Sequence, residues 1–377
     1  MPPPKPTRRA IIGWGLAAGA GMAGFLPRPA DAAEPDLPAL ASARGIAFGS
    51  MAEPRSVIAD PASAALIARQ SAIVANAQFH WLPTTKSPGA EDLSRAETIQ
   101  SWAETRRLAV RGHAMLWHLQ TPEWWAARTD RGAARREMLD HVTALARRFA
   151  GRIASWDVVN EMIRADDGQP MGLRDGPFVR LVGPDYVALA LEAAHAADPR
   201  ARLAINDYGM EADNAGARAK RRAFLSLLDG LKARGAPITS VGLQSHLTAG
   251  LPDFSEASFR AFLRELAARD VSIVLSELDV VDRPAPADEG LRNRMVADSI
   301  RRYLDVAFDE PRVGTLIVWG ITDRYNWVAD LSLPAHRRDD GARPRPSLYD
   351  RDLRPKPAVE AVAAALRAAP SRPPGGT

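Results

Sequence analysis

Short apolar runs alternate with amphipathic segments along the chain from residue 45 onward. The runs are rich in β-branched and other apolar residues, a pattern typical of strands buried on both faces of a parallel sheet. They cover residues 45–52, 71–78, 109–117, 153–161, 202–209, 238–246, 271–280 and 315–323. The pattern predicts eight strands, each followed by a helix.

The segments between the runs show helical spacing. One apolar face consists of Met138, Val142, Leu145 and Phe149, and another of Phe259, Phe262, Leu263 and Leu266. Asp253 precedes the second segment with Glu256 three residues later, which predicts that Asp253 caps this helix. Each segment therefore predicts a helix that covers the sheet.

Eight strand–helix units in about 330 residues favour a closed (β/α)₈ TIM barrel in the α/β class, forming a single catalytic domain over residues 33–369. A doubly wound open sheet is the alternative. Such sheets usually carry a glycine-rich phosphate-binding turn after an early strand. Residues 49–54, which end the first strand here, lack that pattern.

Both ends of the chain differ from the rest. Arg8 and Arg9 precede an apolar Gly/Ala-rich run, and Ala30-Asp31-Ala32 offers small residues for cleavage. Residues 1–32 therefore predict an export signal of the twin-arginine type. A membrane anchor is the alternative, although the run is shorter than the ~20 residues that a spanning helix requires. Residues 370–377 are rich in Pro and Gly and predict a disordered tail.

Composition excludes some classes of partner. Loss of residues 1–32 removes four basic and one acidic side chain, so the net charge of +4 falls to +1. A nearly neutral chain without an aromatic–basic motif does not favour nucleic acid. The chain has no cysteine, so neither disulfides nor thiolate metal sites are available. We expect a periplasmic or secreted monomer with no stable membrane association once the signal is removed.

Polar and aromatic residues collect where the predicted strands end. In a (β/α)₈ barrel the loops at these ends meet above the barrel and carry the chemistry. These residues are His80, Trp81, His113, Trp117, His118, Asn160, Glu161, Asn206, Asp207, Tyr208, Gln244, His246, Glu277, Asp279, Trp319 and Asp323. Their position on one face predicts an active site at the barrel mouth.

Glu161 and Glu277 end the fourth and seventh strands and would face each other across the mouth. Two opposed carboxyl groups are the machinery of glycoside hydrolysis, either retaining or inverting according to their separation. One must stay protonated and the other ionised. His246, itself held by Asp279, could donate a hydrogen bond to Glu277 and keep it ionised.

Tryptophans supply flat apolar faces on which sugar rings pack. Trp81, Trp117, Trp319 and Trp327 lie at or just beyond the predicted strand ends. Each could instead fill the core. Together with the glutamate pair they point to an oligosaccharide or polysaccharide substrate.

Several blocks resemble glycoside hydrolase family ten, the β-1,4-xylanases. They are residues 111–124, RGHAMLWHLQTPEW; 156–161, WDVVNE; 242–247, GLQSHL; 276–280, SELDV; 318–327, VWGITDRYNW; and Lys356-Pro357. The blocks follow one another in the family's order across nearly the whole chain after residue 32.

The resemblance implies a retaining endo-acting hydrolase of xylan-like β-1,4-linked chains that needs no cofactor. It implies that Glu161 is the acid/base, that Glu277 is the nucleophile, and that His246 and Asp279 support the nucleophile. The expected sugar-binding residues are Asn160, His113, Trp117, Gln244, Trp319, Trp327, His80, Trp81, Asn76 and Tyr208.

One block departs from the family pattern. After the second strand the family usually carries Glu-Asn, two further residues and Lys-Trp, whereas this chain has Asn76 to Trp81 with His80 in the lysine position. Histidine is shorter and titratable. We therefore hypothesise that plain xylan binds more weakly on the non-reducing side of the cleavage point, or that the protein prefers a decorated or different β-linked chain.

Two other classes of protein remain open. A metal-dependent barrel hydrolase could use His113, His118, His246 and Asp279, but the first strand lacks the His-x-His pair typical of such barrels. The second class is a carbohydrate-binding barrel that does not hydrolyse its ligand. The altered block after the second strand favours this interpretation, and the glutamate pair argues against it.

Overall fold

The computed structural model describes residues 34–330 and 337–372. The predicted export signal and most of the predicted tail lie outside these residues. The described residues from Pro35 onward belong to one compact unit. None of the described helices is long and apolar enough to cross a membrane.

All strand pairings within the main sheet are parallel. The strands are β1 (Ala47–Ala52), β2 (Ile73–Asn76), β3 (Ala109–Trp117), β4 (Ser155–Asn160), β5 (Arg202–Asp207), β6 (Ser240–Leu243), β7 (His246–Thr248), β8 (Ser272–Val281) and β9 (Val313–Val318). β1 pairs with both β2 and β9, and β6 pairs with both β5 and β8, which closes the barrel. The predicted eight-stranded barrel is confirmed, with β7 as a short addition beside β8.

The sixth predicted strand is divided in two. Ser245 adopts a left-handed conformation with φ of 62°, which an extended strand cannot accommodate. β6 therefore ends at Leu243 and β7 begins at His246. The break turns the chain outward at the barrel mouth, where Gln244 and His246 lie.

Helices connect successive strands around the barrel. They are α1 (Leu37–Ser42), α2 (Pro54–Val57), α3 (Pro61–Arg69), α4 (Trp81–Thr84), α5 (Ser94–Glu104), α6 (Glu123–Ala126), α7 (Arg131–Arg148), α8 (Pro177–Leu181), α9 (Tyr186–Ala197), α10 (Ala215–Ala233), α11 (Glu256–Ala267), α12 (Glu289–Phe308) and α13 (Pro357–Ala368). Their apolar faces pack on the sheet in one continuous core.

The cap of α11 differs from the sequence prediction. Ser255 is the N-cap, and its hydroxyl accepts a hydrogen bond from the backbone N–H of Ser258 at 3.3 Å. Asp253 lies two residues earlier with φ of 60° and cannot cap the helix. The prediction of Asp253 was wrong because serine and aspartate are both favoured caps, and the residue adjacent to the first turn takes the role.

The described part of the predicted tail, residues 370–372, lies against the barrel. α13 ends at Ala368, but Arg372 is buried, and its guanidinium donates to the carbonyl of Phe308 at 2.9 Å. The chain therefore stays packed against the barrel through residue 372, because the long arginine side chain covers apolar surface and binds a free carbonyl.

Candidate active site

The carboxyl ends of the strands surround a cleft of about 670 Å³. Most of the predicted site residues line it: His80, His113, Trp117, Asn160, Glu161, Tyr208, Gln244, His246, Glu277, Trp319 and Trp327. This is the end of a TIM barrel at which enzymes carry their active sites. Asp279 lies directly behind, hydrogen-bonded to His246 and Trp327.

Glu161 follows β4 in a left-handed conformation with φ of 56°. Its backbone N–H donates to the carbonyl of Asn206 at 2.8 Å, and its own carbonyl accepts from Arg174 Nε at 3.0 Å. A non-glycine residue in this region needs support from its surroundings, and such residues concentrate at functional sites. The two backbone contacts hold the Glu161 side chain over the cleft.

Glu277 lies within β8 and is only 4% exposed. Its Oε1 accepts a hydrogen bond from Asn206 Nδ2 at 2.7 Å. Its Oε2 lies 3.5 Å from His246 Nε2, and its Oε1 lies 3.9 Å from His113 Nδ1. Asn206 thus donates to this carboxylate, and the two histidine rings lie beside it.

Side-chain amides connect the two glutamates. Gln244 Nε2 donates to Glu161 Oε1 and to Asn160 Oδ1, both at 3.2 Å. Asn206 Nδ2 donates to the same Asn160 oxygen at 2.9 Å as well as to Glu277. The amide network thus fixes both carboxyl groups relative to each other from strands β4, β5 and β8 and the end of β6.

A glycine makes room for this network. A Cβ atom on Gly242 in β6 would lie 1.9 Å from Asn206 Oδ1. The same oxygen accepts a hydrogen bond from the hydroxyl of Ser276 at 2.6 Å. Close approach of this kind requires glycine, so Gly242 and Ser276 together orient the Asn206 amide toward Glu277.

His246 is held by an acidic partner. Its Nδ1 lies 2.8 Å from Asp279 Oδ1, and Asp279 Oδ2 accepts from the indole N–H of Trp327 at 2.6 Å. Burial acts to lower the pKa of His246, but the Asp279 and Glu277 carboxylates outweigh it and raise that pKa well above its usual value. The imidazole is therefore charged near neutral pH and donates toward Glu277.

His113 is held in the same way below the cleft. Its Nδ1 donates to Asp157 Oδ2 at 3.0 Å, and Arg111 binds both oxygens of the same buried carboxylate. Burial acts to lower the pKa of His113, but Glu277 and Asp157 raise it overall. The His113 ring also packs edge-on against Trp319, with centroids 5.0 Å apart.

Glu161 has the electrostatic character of an acid. Burial raises its pKa, and the carboxylates of Asp207 and Glu277 act in the same direction, while the hydrogen bond from Gln244 opposes them. Asp207 is itself buried, with Lys220 Nζ 2.6 Å from its Oδ1. The two glutamates therefore have different neighbours: the Asp207 carboxylate lies near Glu161, whereas Asn206 and His246 face Glu277.

The family model for "Glycosyl hydrolase family 10" matches residues 36–365. The chain belongs to this family. The resemblance stated from the sequence blocks is thus confirmed, and with it the expectation of a glycoside hydrolase rather than another barrel enzyme.

Named family 10 relatives include the endo-1,4-beta-xylanase 2 of Claviceps purpurea, 31% identical over 74% of this chain and 75% of its own length. Another is the endo-1,4-beta-xylanase B of Paenibacillus barcinonensis, 32% identical over 69% and 78%. Among solved structures, native xylanase 10B from Thermotoga maritima has a TM-score of 0.78 at 28% identity and covers 88% of this chain and 98% of its own.

A solved structure with a bound sugar is also similar. Xylanase 10B from Thermotoga petrophila RKU-1 in complex with xylobiose has a TM-score of 0.78 at 26% identity, covering 89% of this chain and 98% of its own.

His80, which stands where the family usually has lysine, lines the cleft. Burial lowers its pKa to about 3, and the neighbouring His113 acts in the same direction. The His80 ring packs against His113 and Trp117 and has no carboxylate partner among the described residues. His80 is therefore uncharged at neutral and mildly acidic pH, although a histidine in the lysine position was expected to titrate there. Its buried Nε2 has no hydrogen-bond partner among the described residues.

Two expected sugar-binding residues lie away from the cleft. Trp81 is 2% exposed and stacks on His141, with centroids 4.5 Å apart. Asn76 is fully buried; its Nδ2 donates to the carbonyl of Ala96, and its Oδ1 accepts from the N–H of Gln78. Asn76 ends β2 and Trp81 begins α4, and both side chains are buried in the barrel wall behind the cleft.

Other residues at or beside the cleft received no role from the sequence. Asn206 was recognisable only as a polar strand end, and its contact with Glu277 depends on strands distant in sequence. Glu53 and Gln78 line the cleft from the loops after β1 and β2 without any motif. Among the described residues, no cluster of three or more histidine, aspartate and glutamate side chains is placed to hold a metal ion.

Proposed function

We propose that this chain is a retaining endo-acting hydrolase of β-1,4-xylosidic bonds in xylan or a closely related polysaccharide. One observation carries the proposal: Glu161, whose pKa is raised, and Glu277, which faces Asn206 and His246, are joined by the amide network at the mouth of a family 10 barrel. Glu161 is the general acid/base and Glu277 the nucleophile.

In the first step Glu277 Oε attacks the anomeric carbon, and the bond from that carbon to the leaving oxygen breaks. Glu161 transfers its proton to the leaving oxygen, so the departing chain leaves as a neutral alcohol. Its raised pKa keeps the proton available for this transfer. The sugar is now joined to Glu277 as an ester-linked glycosyl group.

In the second step Glu161, now a carboxylate, takes a proton from water as that water attacks the anomeric carbon. The bond to Glu277 breaks, and the carboxylate and the protonated Glu161 are restored. Two inversions give net retention of configuration. A single residue acts first as acid and then as base, as microscopic reversibility requires.

His246, Asp279 and Asn206 serve the nucleophile. The Asn206 amide donates to one Glu277 oxygen, and the charged imidazole faces the other at 3.5 Å, so the two groups hold the nucleophile in position for attack. Asp279 orients the imidazole and balances its charge. These groups are already in position before the reaction, so the site needs little rearrangement of its hydrogen-bond donors as charge develops.

The remaining cleft residues suit a chain of neutral sugars. Trp117, Trp319 and Trp327 offer apolar faces to sugar rings, while Asn160, Gln244, Tyr208, His80 and His113 offer hydrogen bonds to hydroxyl groups. The named relatives are endo-1,4-beta-xylanases. Together these features support β-1,4-linked xylose as the backbone.

The test is to incubate the purified protein with a panel of xylans, mixed-linkage glucan, aryl β-xylobioside and aryl β-cellobioside. We expect release from xylan and the aryl xylobioside, unchanged by a chelator, with the β-anomer formed first by NMR. Glu277→Ala should lose about 10⁴-fold or more of the activity and Glu161→Ala about 10²–10⁴-fold on xylan. No release from any β-linked substrate would contradict the proposal.

We further propose that residues 1–32 direct export by the twin-arginine route and that the mature chain acts as a monomer outside the cytoplasm. The Arg8-Arg9 pair and the small residues before position 33 support it. Fractionation of cells that express the chain with and without an Arg8→Lys/Arg9→Lys change tests it. Equal export of both variants would contradict the route.

A further inference from the structure

A second pocket of about 370 Å³ opens beside the catalytic cleft. Met51, Glu53 and Trp327 line both, so the two are continuous along one wall. Its volume falls within the ~300–1,000 Å³ typical of small-ligand sites. The pocket is therefore open to a group that branches from a chain bound in the cleft.

The pocket has a basic lining. Its charged residues are the arginines Arg55, Arg324, Arg343 and Arg351 and the carboxylates Glu53 and Asp330. By contrast, the cleft's own lining has the carboxylates Glu53, Glu161 and Glu277 and no arginine or lysine. Positive charge is thus concentrated on one side of the cleft.

Two of the arginines are occupied by carboxylates. Arg55 Nη2 donates to both oxygens of Glu53 at 3.0 and 3.2 Å. Arg324 Nη1 donates to Asp60 Oδ2 at 2.5 Å, and the rest of its guanidinium binds the carbonyl of Arg351. Their charges are largely balanced within the protein.

The other two have no such partner. The exposed side chain of Arg343 makes no hydrogen bond or ion pair within the part of the chain that the structure describes. Arg351, also exposed, donates only to the carbonyl of Asp323, at 3.3 Å, among the described residues.

A neutral sugar chain has no group that pairs with a free guanidinium. A carboxylate does, because the planar fork of arginine matches its two oxygens. We propose that this pocket, the arginine pocket, binds the carboxylate of a hexuronic acid branch on the polysaccharide through Arg343 and Arg351. The inference rests on the proposed hydrolysis of a xylan-type backbone and names the decoration that the enzyme prefers.

The test compares two xylooligosaccharides of equal length, one unsubstituted and one with a single hexuronic acid branch. A third carries the same branch reduced to a neutral hexose. We expect wild type to cleave the acidic compound with a kcat/KM about five- to tenfold above that of the other two. This advantage should shrink as salt rises, because the arginines are exposed.

Arg343→Gln and Arg351→Gln should each reduce the advantage, and the double variant should abolish it, with kcat/KM on the unsubstituted compound unchanged. Arg135→Gln, which removes an exposed arginine of α7 outside both pockets, is the matched control and should keep it. Equal cleavage of all three compounds by wild type, or an advantage that survives in the double variant, would overturn the proposal.

Calorimetry with the same three compounds separates this inference from the proposed function. If no compound is cleaved, the hydrolase assignment fails, yet tighter binding of the acidic compound that is lost in the double variant still supports the pocket. If all are cleaved and bound alike, the pocket assignment fails and the hydrolase assignment stands.

Discussion

At the scale of single residues, the division of labour between Glu161 and Glu277 follows from their neighbours. Glu161 directly follows β4 and Glu277 lies within β8, and nothing in their own side chains distinguishes them. Glu161 is buried near the carboxylates of Asp207 and Glu277, which raises its pKa. Glu277 instead receives donors from Asn206 and His246. Environment therefore assigns the roles of acid and nucleophile.

This dependence gives a prediction for the pH profile. In Asp207→Asn the carboxylate that helps to raise the pKa of Glu161 is lost, and Lys220 is left without its partner. Both changes favour ionised Glu161 and lower its pKa. Since the first step needs protonated Glu161, we expect kcat/KM on xylan to decline at a lower pH than in wild type, with a greater loss at pH 8 than at pH 5.

The pH dependence of kcat/KM between pH 4 and pH 9 checks this. Glu265→Gln, which removes an exposed carboxylate paired with Arg269 on α11, is the control and should keep the wild-type profile. An alkaline limb that stays in place or moves to higher pH in Asp207→Asn would contradict the assignment of that limb to Glu161.

A second residue-scale prediction concerns His80. Its buried ring is neutral, so the cleft lacks a cation at this position. Lysine would reach further and supply a charge-assisted donor to sugar hydroxyls. His80→Lys should lower KM on unsubstituted xylotriose about fivefold, equivalent to roughly 1 kcal/mol, with kcat little changed.

Steady-state kinetics on xylotriose provides the measurement, and His80→Asn provides a neutral comparison of smaller size. A KM in His80→Lys equal to or above that of wild type would show that the missing lysine does not limit binding. A comparable fall in His80→Asn would show that space, and not charge, is responsible.

At the scale of elements, the break between β6 and β7 sets the position of two functional side chains. Ser245 occupies the break, its N–H donates to Glu211 Oε1 at 3.0 Å, and its hydroxyl lies 2.8 Å from that of Tyr303. Glu211 and Tyr303 are buried. They hold Ser245 in its left-handed conformation, and Gln244 and His246 on either side are directed to Glu161 and Glu277.

Glu211 is thus expected to act as a positioning residue. Glu211→Ala leaves the buried N–H of Ser245 without an acceptor, which should cost about 1–3 kcal/mol of unfolding free energy. Displacement of Gln244 and His246 should lower kcat about ten- to a hundredfold. Urea unfolding and steady-state kinetics measure the two effects.

Glu211→Gln retains an acceptor oxygen and should restore most of the stability and of kcat. Comparing the loss of kcat with the loss of unfolding free energy distinguishes a positioning role from a purely stabilising one. A folded Glu211→Ala protein with wild-type kcat would show that the break between β6 and β7 keeps its conformation without Glu211.

The elements also show where sequence patterns suffice. Buried parallel strands give continuous apolar runs, so all eight runs were recognisable, and their ends placed most of the cleft residues. Helix caps and the directions of individual side chains were less predictable from the sequence. Ser255 and not Asp253 caps α11, and the side chains of Asn76 at the end of β2 and Trp81 at the start of α4 are buried away from the cleft. These outcomes depend on φ angles and on contacts with distant segments.

At the scale of the whole molecule, strand order brings together residues that the sequence separates. Sequence blocks predicted the barrel, the glutamate pair and His246 with Asp279. They could not show that Asn206 would contact Glu277, because that contact requires β5 and β8 to flank β6. Nor could they show that Arg343 and Arg351 would lie beside Glu53 and the cleft, because that requires closure of the sheet between β1 and β9. Closure thus determines the site as much as the motifs do.

Closure also depends on the last segment of the chain. Lys356 precedes α13, and its Nζ donates to both oxygens of Asp323 and to the carbonyl of Arg345, all at 2.9 Å. The two side chains are 3% and 1% exposed. This ion pair ties α13 to the loop after β9, close to the segment that carries Trp327.

Lys356→Met should destabilise the fold by about 3–5 kcal/mol, because it leaves the Asp323 carboxylate buried without its cation. The double variant Lys356→Met/Asp323→Asn removes both charges and keeps an acceptor for the N–H of Ser347, which donates to Asp323 at 2.9 Å. We expect it to recover most of the lost free energy in urea unfolding, since well-packed neutral groups replace buried ion pairs at little cost. If the double variant were no more stable than the single one, packing by the lysine stem and not charge balance would hold α13 to the barrel.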